Sequence, residues 1–199
     1  MADHQATDYY SSHAEQYHQT TFSIDPSSFL SPLAKLLPPH ASVLDIGCGS
    51  GRDLHWLKQR GFEVTGLERS PGLARYARES ACCPIIEEDF NSFDFSSISV
   101  DALLIVGGIV HVPQAEAPNL FRGFLKALRK GGLVLITTKE GSGSSRDENG
   151  REFFLWSDTE LRALFNGLNL QVLDFFRNDS KLGTGEVWLG YVLKKPGQT

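Results

Sequence analysis

Short apolar runs alternate with longer amphipathic stretches along the chain, which predicts strands and helices in turn. Residues 43–46, 63–68, 84–87, 100–106 and 133–138 read as strands, each rich in apolar or β-branched residues and bounded by turn formers. The run Val100-Asp101-Ala102-Leu103-Leu104-Ile105-Val106 is apolar enough for a central strand covered on both faces. Helical spacing fills the gaps. Residues 52–60 form one helix, stopped by Gly61. Another opens at Ser70-Pro71 and turns Leu73, Tyr76 and Ala77 inward. A third spans 114–129, with Leu120, Phe121, Phe124, Leu125 and Leu128 as its stripe and Lys126, Arg129 and Lys130 at its C-terminal dipole, before a Gly131-Gly132 turn. Two helices precede the first strand. One covers 8–19, capped by Thr7 or Asp8, with Tyr10, Ala14 and Tyr17 on one face; the other covers 26–37, capped by Asp25 and ended by Pro38-Pro39. Residues 139–151 are polar and glycine-rich and read as a long irregular loop, with Phe153, Phe154 and Trp156 just beyond it. Ser157-Asp158-Thr159-Glu160 is a capping box for a helix carrying Leu161, Leu164, Phe165 and Leu168. Residues 170–176 and 186–194 are two further strands, and 195–199 reads as a frayed tail. Alternating strands and helices predict a doubly wound α/β sheet.

A length of 199 residues, 41% of them hydrophobic and 22% charged, fits one domain with one core. The net charge of -5 argues against a broad phosphate-binding surface, so no nucleic acid partner is expected. No apolar run is long enough to cross a bilayer, and Met1-Ala2-Asp3-His4-Gln5 lacks the parts of a signal peptide. A cytoplasmic protein with no membrane partner is the expectation. Cys48, Cys82 and Cys83 have neither disulfide nor zinc spacing, and His4, His13 and His18 fit no common ligand pattern, so no metal is expected.

Chemistry concentrates directly after the first strand. Gly47, Gly49 and Gly51 stand at alternate positions there, and a helix follows. Such a loop turns tightly and lets a ligand approach bare backbone beside the N–H groups of a helix start. The spacing is G-x-G-x-G, and Arg52 occupies the third glycine's place in a dinucleotide fingerprint. Asp45 at the strand's end would repel a pyrophosphate and suits a positively charged ligand. S-adenosylmethionine, with a sulfonium, an ammonium and no phosphate, is such a ligand. Glu68 ends the second strand about 20 residues further on, where an acid accepts hydrogen bonds from both ribose hydroxyls.

The stretch 43–51 resembles the first motif of the class I, Rossmann-like methyltransferases that use S-adenosylmethionine, and the resemblance extends from about Tyr9 to the C-terminus. It implies a mostly parallel seven-stranded sheet with an antiparallel C-terminal edge hairpin and helices on both faces. The whole chain, 1–199, would be one domain, with 1–40 a helical cap and 41–199 the Rossmann-like core. Asp45, Gly47, Cys48, Gly49 and Gly51 would surround the cofactor, and Glu68 would hold the ribose. Arg69 would flank the adenine. Asp89, or Glu88 in its place, would accept from the adenine amino group, with the Phe90 N–H at the ring. Val106 and Gly107 would lie beside the methyl group. Tyr17 either closes over the cofactor or only packs on the core, with Tyr9 and Tyr10 ranked below it as ligand contacts. His111 resembles the histidine that many small-molecule methyltransferases place here. It is either a general base or a structural residue, and the sequence shows no partner for its ring. Lys139 and Glu140 are weaker candidates for substrate contact. The length of the polar loop and the aromatics after it fit a lid, with a surface loop as the alternative, and the run 139–156 resembles a bacterial group of small methyltransferases.

The resemblance implies transfer of a methyl group to a small-molecule acceptor, leaving S-adenosylhomocysteine, by a monomer or homodimer. The alternatives are a thiol-, tellurite- or thiopurine-type methyltransferase and a non-catalytic sensor of the same cofactor. The Asn/Asp-Pro-Pro-aromatic motif of base-modifying enzymes is missing after the fourth strand, where Gly107-Gly108 stands. An NAD-linked oxidoreductase is disfavoured by the glycine spacing and by Asp45.

Overall fold

The computed structural model describes residues 9–197; the expected cap at Thr7 or Asp8, His4, the rest of 1–5 and the last two residues of the expected tail lie outside them. The strands are β1 (Ser42–Ile46), β2 (Glu63–Leu67), β3 (Ile85–Ile86), β4 (Val100–Val106), β5 (Leu128–Lys139), β6 (Ser144–Arg146), β7 (Glu152–Phe154), β8 (Gln171–Asp179) and β9 (Val187–Lys194). Seven of them form one sheet in the order β3-β2-β1-β4-β5-β9-β8, and β6 and β7 pair separately. The first five run parallel, and β9 and β8 close the edge as an antiparallel hairpin. The doubly wound, mostly parallel sheet that the sequence predicts is the sheet observed.

Both faces are covered. α1 (Ala14–Thr21), α2 (Ser27–Ala34), α3 (Arg52–Lys58), α4 (Pro71–Ala81), α5 (Ala117–Phe124) and α6 (Asp158–Gly167) supply the helices. On one face Val43, Ala102 and Leu104 pack with Leu33 of α2, Leu54 of α3 and Ala77 of α4. On the other, Leu44, Leu103 and Ile105 pack with Phe121 and Phe124 of α5 and Phe165 of α6. The two-residue period of a strand makes this partition. It also puts Asp45 on the α3 face, because Leu44 and Ile46 go to the other.

Local capping chemistry holds where the sequence places it. Ser70 Oγ accepts from the Leu73 N–H with Pro71 opening α4, and Ser157 with Glu160 forms the capping box of α6. Several boundaries differ. Residues 9–12 are helical, but the turn breaks at His13 before α1. α2 starts one residue late, with Pro26 as its cap; Asp25 instead accepts from the Ser27 N–H at 2.9 Å. The helix predicted over 114–129 is only α5, ending at Phe124. Leu128 already pairs with Val100 at the start of β5, and residues 129–132 bulge out before Leu133 pairs with Ala102. Leu128 stays in the core from a strand, so an apolar stripe at helical spacing overran the helix. Arg129 therefore serves no helix dipole; its guanidinium pairs with Asp101 at 2.6 Å. The polar stretch 139–151 is not irregular throughout, since β6 within it pairs with β7. Lys195 is not frayed: its Nζ donates to the carbonyls of Leu125 and Leu128, each at 2.7 Å.

Candidate active site

A cavity of about 550 Å³ opens at the carboxyl ends of β1, β2, β4 and β5. The N-terminal helical segment, the β6–β7 hairpin and the turn between β8 and β9 enclose it. Of the positions picked from the sequence, Tyr17, Gly47, Gly49, Glu68, Arg69, Phe90, Val106, Gly107 and His111 line it. Asp45, Cys48, Gly51 and Asp89 are not among the described lining residues.

Of those four, Asp45, Cys48 and Gly51 are buried, whereas the Asp89 side chain is 32% exposed. Asp45 is 2% exposed and its Oδ2 has no hydrogen-bond partner among the described residues. Burial pushes its carboxyl well above the usual range, and the neighbouring charge of Asp53 pushes it further, against the attraction of Arg52. Cys48 is buried in the core under the loop, and burial raises its thiol well above the ordinary value. Gly51 adopts φ +86° and lies against Ala77 of α4. Asp89 pairs with Arg69 at 3.1 Å and accepts from the Asn91 N–H at 2.8 Å. Glu88, the alternative to Asp89, does line the cavity.

Glu68 anchors the floor. Its Oε2 accepts from the Gly49 N–H at 2.9 Å and its Oε1 from the Ser70 N–H at 2.8 Å. Burial raises its carboxyl above the ordinary value, and those two N–H groups and Arg69 oppose the rise. Tyr17 faces Gly49, where an added Cβ would stand 3.4 Å from the tyrosine ring. Gly108 follows Gly107 so closely behind β1 that an added Cβ would come within 3.0 Å of the Ile46 carbonyl oxygen.

His111 ends a short 3-10 turn, Gly108–His111, after β4. The sequence shows no partner for it, and the fold supplies two. Its Nδ1 lies 2.6 Å from the Glu152 carbonyl oxygen of β7, and its Nε2 lies 3.1 Å from Tyr10 Oη. A carbonyl only accepts, so Nδ1 carries the proton, Nε2 carries the lone pair, and Tyr10 donates to it. Burial pushes the imidazole below its ordinary value; the Glu152 carbonyl opposes this, and the cations Arg151, Arg69 and Lys139 reinforce it. Tyr10 thus lines the cavity beside His111. Burial raises its phenol, while Arg151 lowers it. Arg151 was not anticipated: it stacks 4.1 Å from the Tyr9 ring centre and donates weakly to Tyr10 Oη at 3.5 Å. Both partnerships join residues more than a hundred positions apart, which no local pattern signals.

Residues 43–132 match the family described as "Methyltransferase domain". The match covers the strands and helices from β1 to the start of β5, so over that stretch the chain is similar to a methyltransferase domain. Phosphoethanolamine N-methyltransferase 3 of Arabidopsis thaliana is 33% identical over 107 residues, which are 51% of this chain and 21% of that protein. Magnesium protoporphyrin IX methyltransferase of Synechocystis shares the fold with a TM-score of 0.78 at 12% identity, over 98% of this chain and 100% of that one. The 1,6-didemethyltoxoflavin-N1-methyltransferase of Burkholderia thailandensis does so with a TM-score of 0.77 at 20% identity, over 96% of this chain and 85% of that one. The chain spans about a fifth of the plant relative's length. The stretch that matches the methyltransferase domain supplies the glycine loop, Glu68 and His111. Tyr10, Lys139 and Arg151, which complete the cavity around His111, lie outside it.

Proposed function

We propose that the chain transfers the methyl group of S-adenosylmethionine to a small-molecule acceptor and leaves S-adenosylhomocysteine. One observation carries the reading: a buried carboxylate, Glu68, is bound to the glycine loop itself at the end of β2. An acid held there suits ribose hydroxyls, and together with Asp45 and Asp53 it makes the floor hostile to a pyrophosphate. The unpartnered Oδ2 of Asp45 leaves a polar atom free beneath the loop. The Burkholderia relative was crystallised with S-adenosylhomocysteine, and the Synechocystis relative with S-adenosylmethionine in one crystal and S-adenosylhomocysteine in another, which supports the choice. Gly47 and Gly49 offer backbone to the cofactor, Glu68 accepts from its ribose, and Arg69 and Phe90 border its base.

Bound S-adenosylmethionine supplies a methyl group already activated on sulfur, with a neutral leaving group. The protein's share is to orient the acceptor, exclude water and receive a proton where the acceptor has one to lose. His111 Nε2 is the atom that receives it. An acceptor hydroxyl that takes the place of Tyr10 Oη meets the lone pair, while the Glu152 carbonyl holds the ring and shares the charge of the imidazolium. The cavity continues past Gly107 to His111, which favours an enzyme over a sensor. The net charge of -5 favours a small acceptor over a nucleic acid. No helix among the described residues is long and apolar enough to cross a membrane. We read the chain as one domain, 1–199, with 1–40 as its cap, acting in the cytoplasm as a monomer or homodimer.

Calorimetric titration with S-adenosylmethionine should give saturable binding, and titration with NAD should give none. Binding of NAD in preference would overturn the reading. His111→Ala should lower kcat by about a hundredfold or more on an acceptor that loses a proton, with cofactor affinity nearly unchanged. The lowered imidazole value lets His111 stay neutral to lower pH than a free imidazole, so the acid limb of kcat/KM should fall on the acid side of 6.5. A rate profile with its limb above it would remove His111 as the base.

A further inference from the structure

We propose that the methyl acceptor is an anionic small molecule, held through a carboxylate by Lys139. This rests on the methyltransferase reading and adds the chemistry of its second ligand. Lys139 closes β5 at the cavity, and its side chain is only 10% exposed. Its ammonium pairs with Glu186, which stands further out, at 35% exposure. The same order holds for Arg151 at 19% against Asp147 at 26%. In both pairs the cation is the less exposed member, and all four side chains line the cavity.

The ammonium has directions to spare. Among the described residues Glu186 is its one hydrogen-bond acceptor. Its Nζ lies 3.6 Å from the Phe153 ring centre and 5.9 Å from that of Trp188, and a ring face does not replace an oxygen for a strongly hydrated ammonium. A carboxylate arriving between these rings would find a preformed cation at the end of a rigid strand. Trp188 also packs over Gly107, where an added Cβ would be 3.4 Å from its ring, and so presents a flat wall beside the end of β4. The charged groups that bear most on His111 are three cations, Arg151, Arg69 and Lys139. A cationic amine would meet all three, whereas an acid is drawn to them.

The test uses the full chain saturated with S-adenosylhomocysteine and titrated with 4-hydroxybenzoate, 4-hydroxybenzamide and tyramine. These probes share a ring and differ in charge. The carboxylate should bind about tenfold or more tightly than the amide, and the amine weakest of all. Lys139→Met should bring carboxylate and amide within about twofold of each other, Lys139→Arg should keep the preference, and neither should change affinity for S-adenosylhomocysteine. Equal binding of carboxylate and amide by the wild-type chain, no binding of any probe, or a preference that survives Lys139→Met would each overturn the proposal. Failure of S-adenosylhomocysteine to bind at all would instead strike the methyltransferase reading itself, and this inference with it.

Discussion

Glu68→Ala should weaken binding of S-adenosylmethionine by about a hundredfold, corresponding to about 3 kcal/mol. Glu68 is nearly buried and its two oxygens are already aimed by the N–H groups of Gly49 and Ser70. Each oxygen retains a lone pair toward the cavity, so two ribose hydroxyls can donate to a charged acceptor whose ordering cost is met in the free protein. Hydrogen bonds to a charged group contribute about 1.5–3 kcal/mol each, and alanine removes both. The substitution also strands the Gly49 N–H, so part of the loss comes from a looser loop. Glu68→Gln separates the two effects, because the amide keeps one acceptor oxygen and should show a smaller loss. A pH dependence accompanies this. Burial raises the Glu68 carboxyl above 4.5 in the free protein, and the ionised form is the one a sulfonium nucleoside favours. Affinity should therefore hold at neutral pH and fall as acid protonates Glu68. Calorimetry with unchanged affinity for Glu68→Ala would remove the ribose assignment.

Gly51→Ala should cost about 2–4 kcal/mol of stability. Gly51 caps α3 at φ +86°, a left-handed conformation that is unfavourable for alanine. Space adds to the backbone strain. An added Cβ would lie 2.8 Å from Ala77 Cα and 3.2 Å from its carbonyl oxygen, so the obstacle is the backbone of α4 and not a side chain that can swing away. Relief requires α3 to move from α4, which disturbs the glycine loop at its start. Gly61→Ala is the matched control. Its φ is +85°, yet nothing lies within 4 Å of an added Cβ, so only the backbone term of about 1–2 kcal/mol applies. Urea unfolding of both variants measures the difference, and equal losses would show that the α3–α4 contact is soft.

The parts of this protein that were legible in advance are those whose physics is local. The apolar run of β1, the alternate glycines, the acid at Glu68, the Ser70-Pro71 start of α4 and the Ser157–Glu160 capping box act over a few residues. Where periodicity failed, a tertiary contact had replaced a local one. Leu128 continued the spacing of α5 while belonging to β5. β6 escaped notice because Ser144, Ser145 and Arg146 are all exposed, leaving no apolar alternation to read. Lys195 looked like tail until the carbonyls of Leu125 and Leu128 were brought beneath it.

The same division runs through the cavity. By itself the sequence determined the wound sheet, the glycine turn with its acid, and His111 at the end of β4, because strand period and backbone freedom are written in neighbouring residues. Only the tertiary structure decided which nitrogen of His111 bears the lone pair, that Tyr10 covers it, and that Lys139 and Arg151 gather beside it. Those facts depend on charges and hydrogen-bond partners that the chain brings together from distant segments, and the strength of such contacts is set by burial, which exists only once the sheet has closed over them.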